Sequence, residues 1–434
     1  MATSSKSLNQ RILAGIAGLT VVLHLLVGWV YVEQFGPVGT RGILRLSGEG
    51  YLALFPSWNT DVEMDTAGFN RTAVSILSSG LPQSRHGTLI WRTAVYSYYV
   101  AAAYAIGGIR LWPVLVAQAL TSGAVCWLLG DTILRMNPRF GLASLITAVL
   151  YAINLRVAMY VGYVVPLIPT VLFTASALRA TTARSRTATG LFAGSLILGT
   201  YTSSTFFIVA MAGAVWLVIR RRAYIGAALI VAFIALKFVI TWTNIAGDQA
   251  EANRAADRGG IFWLSNNPYY DHVRPWSLWE WRGSNRWSTW RSTDEEQQRY
   301  ESYLARGAQN ELRATLLWIR ENPGAYLRVC LARFRTELGP YTGEMSPRNR
   351  LISLIVWLVI FPAGFYGLWH WRHDPTGQFV WLAVAGVFGF ATLVTEEPYL
   401  RYRMPADLML TVFSGCAYRE LLTRMIRQQA NKGQ

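Results

Sequence analysis

Long uncharged apolar stretches recur along this chain, and they constrain its fold more than any other feature. A helix needs about 20 apolar residues to cross about 30 Å of hydrocarbon. Stretches that reach or approach this length lie near 11–32, 93–109, 111–130, 141–155, 157–178, 187–219, 223–243, 351–371, 377–394 and 405–422. The pattern predicts an all-α polytopic membrane protein with about ten transmembrane helices.

The composition agrees with a membrane environment and excludes several other classes of protein. Only 15% of the 434 residues are charged, against roughly 25% in an ordinary soluble domain. A disordered chain and a purely secreted domain are therefore excluded. The formal net charge of +16 comes from basic residues scattered between the apolar stretches, which argues against a nucleic-acid groove. Three cysteines, an odd number, give neither a disulfide framework nor a metal cluster.

The distribution of Lys and Arg predicts the orientation of the chain in its membrane. Basic residues that predict a cytoplasmic location are Lys6, Arg11, Arg220, Arg221, Arg222, Arg372, Arg419, Arg424, Arg427 and Lys432. Both termini are then inside, and the first stretch is a retained anchor because it is near 20 residues and has no small-x-small cleavage site. Residues 1–434 form a single membrane domain whose polar segments 33–92, 244–349 and 395–404 are external loops. This count also places Arg179, Arg184 and Arg186 outside, against the charge rule, and leaves 187–219 long enough for two short helices.

Two of the external loops contain amphipathic patterns that are typical of helices lying on a membrane surface. In residues 66–79 an apolar stripe is formed by Phe69, Ala73, Ile76 and Leu77. A second stripe covers residues 300–319, ends at Asn322-Pro323 and continues to Leu338 with basic residues that can snorkel to phosphates. Packing of these helices against the transmembrane spans is the equally favoured alternative.

A carboxylate cluster stands directly before the first of these helices. Asp61, Glu63 and Asp65 precede it, and Asp65 in particular has the position of a helix cap. The same loop also contains Arg71, Arg85, His86 and Arg92, so deprotonation of an acceptor and binding of an anion are both chemically open.

Several motifs, in order along most of the chain, resemble those of bacterial family 39 type GT-C glycosyltransferases. Asp65-Thr66-Ala67-Gly68-Phe69, the turn Ser79-Gly80-Leu81-Pro82 and Arg92 are similar to that family's first external loop and second helix. Further similar segments are Thr241-Trp242-Thr243-Asn244, 259–268, 318–327 and Arg401-Tyr402-Arg403-Met404-Pro405. The sequence departs from the family pattern at Thr93-Ala94, which replace two prolines, and at Val165-Pro166, where many relatives carry a Glu.

The resemblance implies a GT-C-type helix bundle in a bacterial inner membrane. This bundle transfers a hexosyl or pentosyl group from a polyprenyl-phosphate donor to a glycan, lipid or protein acceptor outside. Such transfer needs a base for the acceptor hydroxyl and cations for the departing phosphate. Asp65 is the candidate base. Arg401, Arg403 and Arg92 are candidate phosphate ligands, because a guanidinium binds phosphate bidentately, and Tyr402 is a candidate hydrogen-bond donor. A charged interfacial turn with internal ion pairs is the alternative for Arg401 and Arg403.

Other polar and aromatic residues are candidates for substrate binding, namely Asp61, Glu63, His86, Trp263, Asn266 and Asn267. Six tryptophans between 263 and 290 suit sugar stacking, although an interfacial aromatic belt is the favoured alternative. His86 and His272 have acids nearby but lack further ligands at defined spacing. No metal site or cofactor is therefore assigned, and a requirement for a divalent ion stays open.

A multispanning transporter or lipid flippase is the alternative function. Transporters often have two similar halves with charges at the midplane. Here the segment 244–349 has no counterpart in the first half, and strong charges stand at helix ends. Lys237 does lie within an apolar stretch, but near its outer end, so snorkelling to the interface is the favoured interpretation.

Overall fold

The structure, a computed structural model, describes residues 2–35, 65–83, 93–203, 206–245, 294–308, 310–340, 347–394 and 400–432. The elements within these ranges are helices, numbered here in chain order: α1 (Ala2–Phe35), α2 (Asp65–Ser79), α3 (Ala94–Gly107), α4 (Leu111–Met136), α5 (Gly141–Ala152), α6 (Leu155–Tyr160), α7 (Leu167–Thr181), α8 (Arg186–Thr200), α9 (Phe207–Trp216, extended by a π-helical turn over Leu217–Arg221), α10 (Tyr224–Ile245), α11 (Asp294–Arg306), α12 (Glu311–Glu321), α13 (Pro323–Leu338), α14 (Pro347–His370), α15 (Pro375–Leu393) and α16 (Leu400–Lys432).

The chain is an all-α polytopic membrane protein, as the apolar stretches predict. Segments long and apolar enough to cross a bilayer are Ser7–Val30, Leu111–Met136, Leu351–His370 and Pro375–Leu393. Shorter apolar helices cover Gly141–Ala152, Leu167–Thr181 and Tyr224–Val239. The number of spans, about ten, stays a prediction.

The helices form two compact units. Unit 1 consists of Met1–Thr241, Leu358–Val384 and Met404–Gln434, and unit 2 consists of Trp242–Trp357 and Ala385–Arg403.

Several helix termini of unit 1 meet at one end, which we call the basic end and define by the turns 137–140, 182–185, 222–223 and 371–374. Arg179 in the last turn of α7 donates to Asp131 of α4 at 2.6 Å. Arg221 after α9 donates to the Thr181 carbonyl at 2.9 Å, and Trp216 donates to the Pro375 carbonyl at 2.8 Å.

Aromatic contacts bring the remaining turn and α16 to the same end. The rings of Phe140 and Trp371 lie 5.4 Å apart with an interplanar angle of 79°. The guanidinium of Arg419 lies 4.2 Å from the centroid of the Phe140 ring. The C-terminal part of α16 therefore leaves unit 1 at the basic end.

These contacts correct one sequence-based expectation. Arg179, Arg184 and Arg186 were expected on the face opposite to Arg220–Arg222, yet both groups lie at the basic end. The first cause is α3, whose 14 residues run antiparallel to only the first half of α4, so that α3 does not lead to the basic end. The second cause is that the stretch 187–219 forms two helices, α8 and α9. Each difference reverses the direction of the chain, and together they place these arginines where the charge rule expects them.

Helix α3 runs antiparallel to the first half of α4. The Tyr99 hydroxyl is 2.9 Å from Thr121 Oγ1, and α3 ends four residues before α4 begins. The connecting turn contains Gly108 at φ +80°, a left-handed conformation that glycine adopts without steric strain. Helix α3 therefore begins at the depth of Thr121 and returns toward the end of unit 1 opposite the basic end.

In unit 2, helices α11, α12 and α13 pack around Tyr303, Ala314, Trp318, Ala325 and Val329. The predicted continuous helix over 300–319 is two helices, α11 ending at Arg306 and α12 beginning at Glu311. Asn310 caps α12 by accepting from the Arg313 amide at 3.0 Å. Pro323 begins α13 after the predicted break. Exposed apolar side chains of α12 and α13 are Leu312, Leu316, Leu327, Leu331 and Phe334. Their location on a membrane surface stays a prediction.

Candidate functional site

Buried polar side chains of unit 1 concentrate at one depth, in a group that we call the polar layer and define as His24, Ser122, Tyr151, Arg156, Lys237 and Asp407. Ser122, Thr200 and Lys237 lie 13 or 14 residues from the basic-end terminus of their respective helices α4, α8 and α10. At about 1.5 Å per residue they are about 20 Å from the basic end. Hydrocarbon is about 30 Å thick, so the polar layer falls within the half of the bilayer far from the basic end.

His24 connects three helices through a chain of hydrogen bonds. Its Nε2 is 2.9 Å from the Ala152 carbonyl, which only accepts, so Nε2 carries the proton. Nδ1 of the neutral ring then accepts from the Ser122 hydroxyl at 2.7 Å. The Ser122 oxygen in turn accepts from the Tyr151 hydroxyl at 2.8 Å. Because both ring nitrogens are engaged and His24 is fully buried, this chain fixes the packing of α1, α4 and α5.

Arg156 and Asp407 form a buried ion pair that the sequence analysis did not identify. Arg156 Nη1 and Asp407 Oδ2 are 3.6 Å apart, and the side chains are 5% and 8% exposed. Both residues stand within or beside predicted spans, where a charge is costly unless it is paired or faces a cavity. That rule applied to Arg156 and Asp407 would have singled them out from the sequence alone.

Lys237 does not snorkel to the interface, contrary to the favoured interpretation of the sequence. It is 5% exposed, its Nζ donates to the Thr200 carbonyl, and Nζ lies 5.8 Å from the centroid of the Tyr201 ring. Thr200 ends α8, where the helix dipole favours a cation. The charge is therefore accommodated inside the polar layer.

Helix α3 begins at the depth of the polar layer, and α2 packs on α3. The Val95 amide donates to the Tyr201 carbonyl at 3.2 Å. Helix α2 packs on α3 through an edge-to-face contact of Phe69 with Tyr96 at 4.9 Å. The Tyr104 hydroxyl also donates to Asn70 Oδ1 at 2.5 Å.

These contacts fix the helix that Asp65 begins. As the first residue of α2, Asp65 is at the positive end of the helix dipole, which stabilises a carboxylate. The side chain of Asp65 itself lies outside the described part of the structure.

In unit 2 Arg403 is held by main-chain carbonyls. Its Nη1 donates to the Glu337 carbonyl and to the Gly339 carbonyl at 2.8 Å, and the residue is 2% exposed. These carbonyls belong to the end of α13, so Arg403 ties the beginning of α16 to α13. Arg401 and Tyr402 stand in the first turn of α16, but their side chains lie outside the described part.

An exposed network holds α11 against α12. Arg306 makes two hydrogen bonds to the Glu321 carboxylate, and the Tyr303 hydroxyl donates to it at 2.9 Å. These hydrogen bonds, with that of Arg306 as the larger cause, lower the pKa of Glu321 to about 2. The carboxylate therefore stays charged and structural over most of the pH scale.

The other candidate site residues fall outside the described ranges, and their roles stay predictions. They are Asp61, Glu63, His86, Arg92, Trp263, Asn266 and Asn267. Within the described ranges no three His, Cys, Asp or Glu side chains are grouped as metal ligands would be.

Comparison with known proteins gives a structural likeness. No family model matches the chain, and no curated protein matches it. The structure is similar to a crystal structure of ArnT from Cupriavidus metallidurans bound to undecaprenyl phosphate, with 11% sequence identity and a TM-score of 0.49. The alignment covers 93% of this chain and 60% of that one, so the chain spans about three fifths of that protein's length. At this identity and TM-score the likeness assigns no activity to the chain.

Proposed function

We propose that the chain is a GT-C-type membrane glycosyltransferase that moves a sugar from a polyprenyl-phosphate donor to an acceptor at the external face. The observation that carries the proposal is the position of Asp65. It begins α2, which packs on α3, and α3 runs from the polar layer away from the basic end. A base in this region is close to the headgroup depth at which the sugar of a lipid donor is attached.

The reaction is a single displacement. The acceptor oxygen forms a bond to the anomeric carbon, and the bond from that carbon to the phosphate oxygen breaks with its electron pair going to polyprenyl phosphate. Asp65 takes the hydroxyl proton, a step that contributes about 10²- to 10⁴-fold to rate. Arg401, with Tyr402 and Arg92, binds the departing phosphate.

Arg403 has a different part in this proposal. Its Nη1 is engaged by the carbonyls of Glu337 and Gly339, so it holds the first turn of α16 in place. Arg401 stands in that turn and is thereby the stronger candidate for contact with the donor phosphate.

A transporter is less well supported by the buried charges. Transporters place such charges where two alternately opening halves meet. In unit 1 Arg156, Asp407 and Lys237 are instead engaged in an ion pair or a hydrogen bond with a helix terminus. Such fixed charges suit a rigid scaffold that positions a site at its end.

Mass spectrometry of lipid-linked sugars in cells that lack the protein tests the proposal. We expect one polyprenyl-phosphate sugar to accumulate and one glycan to disappear, and wild-type protein to reverse both changes. Asp65→Asn should fail to reverse them at normal membrane abundance. Glu420→Gln is the matched control, because it makes the same chemical change at an exposed pair with Arg424 and should restore both. An unchanged lipid profile, or full restoration by Asp65→Asn, would contradict the proposal.

A further inference from the structure

At the basic end of unit 1 arginines greatly outnumber carboxylates, and each described carboxylate there already has a partner. Asp131 accepts from two arginines. Asp374 accepts from the Thr376 amide at 2.8 Å at the beginning of α15, and Glu420 accepts from Arg424 at 2.5 Å. The remaining positive charge of this end is therefore not balanced by the described part of the protein.

Asp131 holds Arg135 and Arg179 in position through one nitrogen of each guanidinium. Each donates through Nε to the same oxygen, Oδ2 of Asp131, at 2.6 Å. Arg179 also lies 5.4 Å from the centroid of the Trp127 ring. The side chains of Arg135 and Arg179 are 45% and 29% exposed, whereas Asp131 is 4% exposed. Two guanidiniums on one carboxylate leave a net positive charge, and both arginine side chains remain partly exposed.

Arg221 adds a third guanidinium beside α7. Its Nη2 donates to the Thr181 carbonyl at 2.9 Å, and its plane lies 5.1 Å from the centroid of the Trp216 ring. Its Nη1 is buried and has no hydrogen-bond partner among the described residues. Burial first, and then repulsion from Arg184, lowers the pKa of Arg221. An anion between Arg184 and Arg221 would relieve that repulsion.

Helix dipoles do not explain the whole cluster. Arg135 and Arg179 stand in the last turns of α4 and α7, where a cation is favourable in any case. Arg184 immediately precedes Ser185, the N-cap of α8, and there the dipole disfavours a cation. Its position is therefore not explained by the helix dipole.

The surroundings of these arginines indicate what kind of anion would bind to them. Helix α4 is long and apolar enough to span a bilayer and ends one residue after Arg135, so the cluster stands at headgroup depth. Val218, Ile219 and Ile225, next to Arg221 in the chain, are 40%, 63% and 80% exposed. Exposed apolar side chains can contact the acyl chains of a lipid, and the guanidiniums beside them can bind its phosphate.

We propose that Arg135, Arg179, Arg184 and Arg221 form a binding site for the phosphate headgroup of an anionic phospholipid. The acyl chains of this lipid lie along Val218, Ile219 and Ile225. Basic pockets between helices bind anionic headgroups in this way. The site is at the end of unit 1 opposite α2 and does not depend on glycosyl transfer.

Lipid selection in nanodiscs tests the site. The purified chain is placed in phosphatidylcholine discs that contain phosphatidylglycerol, and the phosphatidylglycerol retained by the protein is measured by native mass spectrometry. We expect several-fold enrichment over phosphatidylcholine. Arg184→Gln combined with Arg221→Gln should abolish the enrichment, because the loss of two arginines at about fivefold each exceeds a several-fold preference. Asp131 keeps both of its partners in this variant, so folding should be preserved and is checked by thermal unfolding.

The matched control is Arg139→Gln combined with Arg427→Gln, two exposed arginines at the same end whose removal changes the net charge equally. We expect this variant to lose clearly less enrichment than Arg184→Gln combined with Arg221→Gln, because Arg139 and Arg427 are not among the four arginines of the site. Equal retention of the two lipids by wild type, or equal loss in the control, would overturn the proposal. Displacement of phosphatidylglycerol by millimolar inorganic phosphate would also overturn it, since the site would then bind soluble phosphate.

Discussion

Arg156 and Asp407 approach to 3.6 Å, between Nη1 and Oδ2, although they come from α6 and α16 at distant points of the chain. Both side chains are nearly buried. The pair joins the α5–α6 region to the helix that also carries Arg401, and it lies in the polar layer. Because a charge in this environment depends on its partner, the two residues should behave as one unit in mutagenesis.

Loss of one member of this pair should destabilise the protein strongly. Arg156→Ala or Asp407→Ala leaves a buried charge uncompensated, which costs about 3–5 kcal/mol. The combination of Arg156→Met with Asp407→Leu should recover most of that loss. Apparent unfolding temperatures in detergent measure the effect. Arg424→Ala is the control, since its exposed pair with Glu420 should contribute less than about 1 kcal/mol.

Replacement of Arg403 should show a structural role. Arg403→Lys loses the planar fork that reaches the Glu337 and Gly339 carbonyls. We expect destabilisation by about 1.5–3 kcal/mol, the range for a hydrogen bond from a charged group, measured as earlier protease cleavage of unit 2. Arg401→Lys should leave the cleavage pattern unchanged while weakening use of the lipid donor. Equal protease resistance of Arg403→Lys and wild type would exclude the anchoring role.

Stability at acid pH should depend on Glu321. Its pKa is lowered to about 2, below its ordinary value, so its contribution is complete above about pH 4.5 and is lost as pH falls toward 2. Wild-type protein should therefore lose stability over this interval, and Glu321→Gln should lose less. Denaturant titrations at pH 5 and pH 3, followed by hydrogen exchange in peptides from α11 and α12, measure the difference. Glu295→Gln, on the exposed side of α11, should retain the wild-type dependence.

The product of transfer should have the inverted anomeric configuration. One base and one departing phosphate imply a single displacement at the anomeric carbon, with attack from the face opposite to the leaving group. NMR of the isolated glycan, compared with the anomeric coupling of the donor sugar, determines the outcome. A retained configuration would require a covalent intermediate and a second displacement, for which the proposed mechanism has no nucleophile.

Much of the fold follows from the sequence because hydrophobic length and helical periodicity are local properties. The amphipathic helix predicted at 66–79 is α2, and the break at Asn322-Pro323 is where α12 ends and α13 begins. The direction of α3 could not be predicted from the sequence, because an apolar stretch of borderline length has the same residue pattern whether it crosses a bilayer or turns back. The depth of Tyr99 against Thr121 is a tertiary contact that no local pattern encodes.

The candidate site could be predicted from the sequence only in part, for the same reason. Asp65 was identified from its place before an amphipathic helix, and its place at the beginning of α2 is confirmed. The sequence predicts an interfacial Lys237 because the residue lies near the outer end of its apolar stretch. Its partner, the Thr200 carbonyl, belongs to a different helix and has no sequence signature. Arg156 and Asp407 became a pair only through folding. The sequence therefore does not predict which partner each buried charge has.

Photo-crosslinking with a diazirine-bearing polyprenyl phosphate tests the central claim most directly. The claim requires that Asp65 and Arg401 reach the same donor. In nanodiscs, we expect label on peptides from the beginning of α2 and from the first turn of α16, and excess unlabelled polyprenyl phosphate should remove it. Labelling confined to the basic end, or labelling that competitor does not reduce, would contradict the account.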